Sequence, residues 1–409
     1  MSSVDINSSN IPLGSHTLDI YAIDRVGNTG QKSLTLFKPF YKVQGNRLID
    51  KSTNSEVILY GVHISRPEIF DPSKTLAFNN WRDVSIYIGK DLDEIKYNLK
   101  ANAVRLGISP SWMRYPDRLD YYIQIAIDQA IQRNLIVLLD FHAVDSSVYP
   151  YTKGSFTYGK KYSNTKTTYE LMIEFWQRYT PKYSQGIYSK YVFFELWNEE
   201  VRNAEVLNEW LDYRDKMEYV INNIIRPQSA NVIVVNGLNN GLNLRRVVEG
   251  YPIRDPINLL VYGWHPYANS VKPTYAEREA LTDYFATARS SWNWNLRGTT
   301  NTLITSIYPT MITEFGWRDP NIRTDLTESQ KNEYGGRYVR SDNTYDYGKS
   351  ILIYANNNNI KGYFTFRFYY EKLALVNKML DWWNPNRTYN YTPDYGEIIK
   401  NWYNSRRIP

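Results

Sequence analysis

This sequence contains no cysteine. Disulfides and thiol catalysis are therefore excluded, although the absence does not decide the compartment. Long apolar runs are missing too, since none approaches the ~20 residues of a membrane span. Met1-Ser2-Ser3-Val4-Asp5 opens without a signal-peptide core, so the expectation is a cytoplasmic protein or an exported one whose signal lies outside this sequence. Charge of one sign is not concentrated anywhere. A net +6 from 48 basic and 42 acidic side chains, spread without long blocks, argues against nucleic acid or an anionic membrane as partner. No glycine-rich dinucleotide fingerprint follows the first buried strand, and no internal repeat or low-complexity tract stands out.

What is present is an alternation. The buried-strand candidates are Val57–Ile64, Ala103–Ile108, Leu135–Phe141, Tyr191–Leu196, Asn231–Asn236, Leu259–Gly263, Pro309–Thr313 and Gly362–Phe366. Segments of helical period lie between them: Asp91–Lys100, Leu119–Arg133, Tyr169–Tyr179, Asn208–Ile225, Arg278–Ala288 and Asp346–Ala355, with Gly396–Tyr403 closing the chain. The run from Tyr191 is continuous rather than alternating, as expected of a strand buried on both faces. Eight such units in 409 residues predict a closed (β/α)8 barrel, a TIM barrel, rather than an open doubly wound sheet. A hydrophobic content of 43% is enough to fill its core.

The front of the chain is different. Gly14–Ala22 and Ser33–Phe37 alternate apolar and polar residues around the turn Asp24-Arg25-Val26-Gly27-Asn28, which predicts an antiparallel hairpin. Its wording resembles the last two strands of an immunoglobulin-like module. The expected division is therefore residues 1–38 as a hairpin remnant of such a module and 39–409 as the barrel. A second, short hairpin is expected over Phe40–Ile58, entering the barrel. Val144–Lys166 and Arg318–Thr344 exceed ordinary connections and should be rim loops that build a cleft.

Two buried strands end in acid. Phe193-Phe194-Glu195-Leu196-Trp197-Asn198-Glu199-Glu200 stays apolar except at Glu195 until it breaks into an amide and carboxylates, and Ile312-Thr313-Glu314-Phe315-Gly316 does the same 115 residues later. The C-terminal ends of barrel strands are where ligands bind. Two carboxylates delivered to one rim are the minimal apparatus for cleaving a glycosidic bond. Three of the four histidines, His63, His142 and His265, also fall at strand ends, beside Arg105, Asp140, Asn198 and Tyr267. A lone histidine there is more often a packed residue than a catalyst; three with an arginine and two glutamates reverse those odds. Arg105, inside an apolar strand, needs a carboxylate partner, because an unpaired buried charge is costly. The aromatic fraction of 15%, with 37 Tyr and 12 Trp, leans slightly toward glycan binding, since flat rings stack on sugar faces.

From about Phe40 to Tyr403 the chain resembles glycoside hydrolase family 5, and its cellulases in particular. The resemblance rests on Arg105 after the second strand, His142 after the third, and Asn198-Glu199 after the fourth. His265 and Tyr267 follow the sixth strand, and Glu314 lies in Thr-Glu-Phe-Gly at the seventh. Each motif alone is weak; their order and spacing together are specific. The resemblance implies a retaining endo-β-1,4-glucanase acting outside the cell on a polysaccharide, as a monomer, without cofactor or metal. Glu199 would be the acid and then the base, and Glu314 the nucleophile, oriented by Arg105 and Tyr267. Asn198 would hold the 2-hydroxyl of the sugar, and His142 and His265 would hold hydroxyls or tune Glu199. Glu195 is expected to face the barrel interior or a helix, and Glu200 to begin a rim loop.

Two departures stand out. His63 replaces the usual asparagine, as either a packed residue or a sugar contact. Phe366 falls where a tryptophan usually floors the cleavage subsite, a role Trp382 or Trp383 could take instead. Trp112 and Trp317 are either sugar platforms or loop anchors. β-Mannanase or xylanase activity fits the same mechanism. A metal-dependent barrel hydrolase and a non-catalytic glycan-binding barrel are the readings from other classes. Richness in Tyr, Ile and charged residues is compatible with a thermophilic source.

Overall fold

The computed structural model describes residues 11–64, 81–147, 166–271, 274–337, 340, 344–368, 375–376 and 388–406. Strands β1 (Gly14–Ile23) and β2 (Thr29–Lys38) form the predicted antiparallel hairpin, with Gly14 opposite Lys38 and Ile23 opposite Thr29. Asp24 closes its turn, its carboxylate accepting from the backbone of Val26 and Asn28. Far from its base the ribbon stands in solvent: Tyr21, Ile23 and Val26 are 62%, 71% and 81% exposed. Next come β3 (Tyr41–Gln44), β4 (Arg47–Asp50) and β5 (Ser55–Glu56), a three-stranded antiparallel sheet where a hairpin was expected.

The barrel is closed by eight parallel strands. They are β6 (Leu59–Ile64), β7 (Ala103–Ile108), β8 (Ile136–Phe141), β10 (Val192–Glu195), β12 (Ile233–Asn236), β13 (Leu260–Trp264), β14 (Thr310–Phe315) and β15 (Gly362–Thr365). Above the rim, β9 (Val144–Asp145) pairs in parallel with β11 (Glu199–Glu200). All eight predicted strands are present, with ends moved by at most two residues. Most helices match as well, including Pro116–Gln132, Thr168–Tyr183, Leu207–Val220 and Tyr347–Asn357.

Two helices differ from expectation. The first spans Trp81–Asp93, ten residues earlier than predicted, and continues as a π turn over Glu94–Asn98. Its buried stripe Ile88, Leu92, Ile95 and Leu99 has helical spacing, but β-branched residues and Gly89 hide the start. The helix expected over Arg278–Ala288 is two, Tyr275–Glu279 and Tyr284–Arg297. Asp283 accepts from the backbone of Phe285 and Ala286 and so begins a new helix. A further helix, Glu328–Tyr334, opens on a Thr327/Gln330 capping box within the segment expected as an irregular rim loop.

Inside the barrel the side chains form layers. Ala103, Leu138, Phe193, Val234, Val261, Met311 and Phe364 share one apolar cluster. Tyr41 and Leu48, 3% exposed each, belong to it, so the sheet β3–β5 seals this end of the barrel. The Tyr41 ring meets Phe193 edge-on at 5.1 Å, and its hydroxyl donates to the Lys190 carbonyl. Two residues further along each strand, on the same face, the interior turns polar: Arg105, Asp140, Glu195, Asn236 and Thr313. That second layer is the base of the site.

Candidate active site at the C-terminal mouth of the barrel

Arg105 is the hub. It is fully buried, its Nε and Nη2 reach the two oxygens of Glu195 at 2.6 and 3.0 Å, and its Nη1 reaches Glu314 Oε1 at 2.5 Å. Nη2 also lies 2.7 Å from Asn198 Oδ1 and 3.0 Å from Asp140 Oδ2. Burial opposes its charge, but Asp140, Glu195 and Glu314 outweigh that, and its pKa rises well above the ordinary value. The carboxylate partner expected for Arg105 is thus three carboxylates. Glu195, set aside in the sequence reading, faces the barrel interior and is one of them. Burial raises the pKa of both Glu195 and Asp140 against the pull of Arg105, that of Asp140 to about 8.

Glu314 is 3% exposed and is held by Arg105 on one oxygen and by the Tyr267 hydroxyl, at 2.9 Å, on the other. The register of β14 with β15 shifts between Ile312 and Phe315. That irregularity lets the consecutive side chains of Thr313 and Glu314 both reach the mouth, where a regular strand would turn one away.

Glu199 sits one residue past Asn198, on a backbone tied to the neighbouring strand. Asn198 N donates to the Phe141 carbonyl and Glu199 N to that of Ala143. Its Oε1 lies 3.0 Å from His265 Nδ1 and its Oε2 accepts from Asn240 Nδ2 at 3.3 Å. Burial pushes its pKa to about 7, against the Asn240 bond and Arg105. Carboxylate oxygens of Glu199 and Glu314 lie within 4.8 Å of each other. Two carboxyl groups at such a separation suit double displacement; inversion needs ~6.5–9.5 Å to admit a water.

The remaining predicted residues divide into two groups. His142 Nδ1 pairs with Asp140 Oδ2 at 2.7 Å, and His265 Nε2 with Thr313 Oγ1 at 2.8 Å. Burial lowers these histidines to about 3 and about 4, so both rings are neutral at neutral pH. Asn198, 1% exposed, keeps its Nδ2 without a hydrogen-bond partner among the described residues, a buried donor ready for a hydroxyl. His63 is fully buried, 3.2 Å from Arg105 and 5.1 Å from the His142 ring, which makes it a packed support. Gly107 leaves space for both rings: a Cβ there would lie 2.7 Å from His63 and 3.0 Å from His142. Phe366, 8% exposed, packs its ring on His63 at 5.0 Å, with the Arg367 guanidinium over it at 4.2 Å, and its peptide to Arg367 is cis.

Two of the proposed platforms are core residues. Trp317 is fully buried, donates its indole N–H to the Asp394 carbonyl and packs on Tyr395 at 4.6 Å. Trp112, 4% exposed, packs beside Tyr122 in the main core. Neither presents a free face, because the helices around the barrel cover both. Glu200 is buried too, accepting from Ser147 N and paired with Arg202, so it anchors the β9–β11 sheet rather than opening a loop. Trp382 and Trp383 lie outside the described residues.

Sequence reasoning missed Asn236, Asn240 and Thr313. The turn Asn239-Asn240-Gly241 has φ of 56°, 59° and 74°, a left-handed run that lays Asn240 over Glu199 and Gly241 against the His265 ring. The Asn-Asn-Gly triplet was a visible signal for it. His63, His142 and Glu314, and separately Glu199, His265 and Glu314, each bring ligand-type atoms within 4.8 Å. These groups are engaged instead with one another and with Asp140, Arg105 and Thr313, a hydrogen-bonded set rather than an open cradle.

The profile of the cellulase family, glycosyl hydrolase family 5, matches residues 69–360, more than half of the chain. The chain belongs to glycosyl hydrolase family 5. No curated protein matches it. Among solved structures, a β-glucanase of Saccharophagus degradans in complex with cellotetraose is 22% identical, with a TM-score of 0.63 over 90% of this chain and 94% of that one. An endocellulase of Pyrococcus horikoshii is 16% identical, at 0.54, over 85% and 95%. A β-mannanase of Streptomyces thermolilacinus is 16% identical, at 0.52, over 90% and 97%. At these identities the likeness shows the fold, a (β/α)8 barrel. Family membership makes this chain a glycoside hydrolase.

Proposed function

We propose that this family 5 chain is a retaining endo-β-1,4-glucanase that cuts internal bonds of a β-glucan outside the cell. The observation that carries the reading is the pair Glu199 and Glu314, with carboxylate oxygens within 4.8 Å and unlike surroundings. Glu199, held near pH 7 by burial, has a proton to give to the glycosidic oxygen. Glu314, held by Arg105 on one oxygen and Tyr267 on the other, is aimed as the nucleophile. As the bond to the leaving sugar breaks, Glu314 forms an ester to the anomeric carbon. Glu199, now a carboxylate, then takes a proton from the water that displaces Glu314. The free Nδ2 of Asn198 is placed to hold the 2-hydroxyl, an interaction that strengthens at the oxocarbenium-like transition state. A polymeric substrate cannot enter a cell, which supports an extracellular site of action.

Glu199→Gln and Glu314→Gln should each lower hydrolysis by roughly 10³-fold or more while leaving the fold and polysaccharide binding intact. Azide should partly restore turnover to Glu314→Ala, giving a glycosyl azide of configuration opposite to the normal product. Wild-type rates in either glutamine variant, or no azide adduct, would remove that residue from its role. Product analysis on soluble cellulose derivatives, mannan and xylan separates the glucanase reading from a mannanase or xylanase with the same machinery.

A further inference from the structure

Asn236, at the end of β12, is 1% exposed, and its amide orientation is fixed by its surroundings. Nδ2 lies 2.7 Å from Glu195 Oε1, 3.1 Å from the Trp197 carbonyl and 2.8 Å from the Asn198 carbonyl. Two of these are carbonyls that can only accept, so the nitrogen must be on that side. Oδ1 therefore faces Thr313 Oγ1 at 3.1 Å and takes the single proton of that hydroxyl. With its proton committed, Thr313 can only accept from His265 Nε2, 2.8 Å away. A neutral His265 then carries its hydrogen on Nε2, and Nδ1 is a bare lone pair 3.0 Å from Glu199 Oε1. Two lone pairs cannot bond, so this contact is a hydrogen bond only when Glu199 brings the proton. Gly263 gives the chain room: a Cβ there would collide with Asn236 Oδ1 and approach Thr313 Oγ1 to 3.0 Å.

We infer that Asn236 and Thr313 are positioning residues that lock His265 in its Nε2–H tautomer, so that the ring accepts from Glu199 and keeps that carboxyl loaded with its proton. The inference rests on the reading of Glu199 as the acid. After Glu199 has protonated the leaving oxygen, its carboxylate faces the Nδ1 lone pair, and the repulsion ends when it takes a proton from the attacking water. The same three residues, Asn236, Thr313 and His265, thus favour both halves of the reaction. Other groups facing the pair are Glu314, Tyr267, Arg105, Glu195, His142, Asn240 and, from the helix Glu328–Tyr334, Glu333. The variants below leave all of them in place.

Thr313→Val keeps the shape and removes the hydroxyl, which frees His265 to turn its hydrogen to Nδ1 and bond an ionised Glu199. The alkaline limb of kcat/KM should then move to lower pH by about one unit, since a hydrogen bond to the charged form favours it. Thr313→Ser should retain the wild-type limb. A merely structural role would lower the rate without moving the limb. Nitrogen-15 spectra of histidine-labelled wild-type protein, with His265→Gln for assignment, read the tautomer directly and should show Nε2 protonated at neutral pH. A wild-type His265 protonated on Nδ1, or an unmoved limb in folded Thr313→Val, would overturn the inference. Failure of the proposed function would show instead as an active Glu199→Gln variant, whatever the tautomer.

Discussion

Arg105 is one cation answering for Asp140, Glu195 and Glu314, all buried with it. Its worth lies less in attraction than in what its loss would strand. Arg105→Met should destabilise the fold by about 3–5 kcal/mol, read from denaturant unfolding, because three carboxyl groups would be left buried without a counter-charge. Arg105→Lys keeps the charge but not the fork that meets Glu195 with two nitrogens, and should fall between. A smaller loss in Arg105→Met than in Arg105→Lys would contradict this account. At this scale the sequence was partly legible. Arg105, His142, Asn198, Glu199, His265, Tyr267 and Glu314 all interrupt or end apolar runs, so chemistry that does not belong in a core exposes them. Asn236 and Thr313 escape notice because an amide or a hydroxyl at a strand end is ordinary. Only the three-dimensional neighbours reveal that each has one possible hydrogen-bond direction.

At the scale of elements, the site is made by irregularities rather than by the barrel strands themselves. The shifted register of β14, the two-residue pairing of β9 with β11, and the left-handed turn Asn239-Asn240-Gly241 each turn a side chain into the mouth. Gly241 combines two demands, a φ of 74° and a ring atom of His265 2.8 Å from where a Cβ would stand. Gly241→Ala should therefore cost about 1 kcal/mol or more of stability and lower kcat by displacing His265. A pH–rate profile together with a melting curve checks it, and an alanine variant matching wild type in both would show that the turn is not needed. The strands were legible because eight apolar runs of similar length, alternating with helical segments and lacking a dinucleotide fingerprint, favour a closed barrel over an open doubly wound sheet. The rim was not, since bulges and short pairings leave almost no periodic trace. Trp112 and Trp317 illustrate the same difficulty: from sequence, a tryptophan just past a strand serves equally as platform or anchor, and here the surrounding helices claim both.

For the whole molecule, the two sheets before the barrel have unequal importance. The ribbon β1–β2 ends in solvent, whereas β3–β5 supplies Tyr41 and Leu48 to the barrel's own interior. Removing residues through Lys38 should leave hydrolysis and the melting temperature close to those of the full chain. Removing residues through Glu56 should lower the melting temperature sharply, because the apolar layer beneath the site would meet water. Equal effects of the two truncations would refute the distinction. The chain as a whole is basic, with a net charge of +6, yet among the described residues its mouth gathers the carboxyl groups of Asp140, Glu195, Glu199 and Glu314 beside the guanidinium groups of Arg105 and Arg367. A cleft so furnished is a poor host for anionic sugars such as uronates. It is a ready one for any ring that turns positive inside it, whether for an instant in turnover or for good in a basic nitrogen analogue.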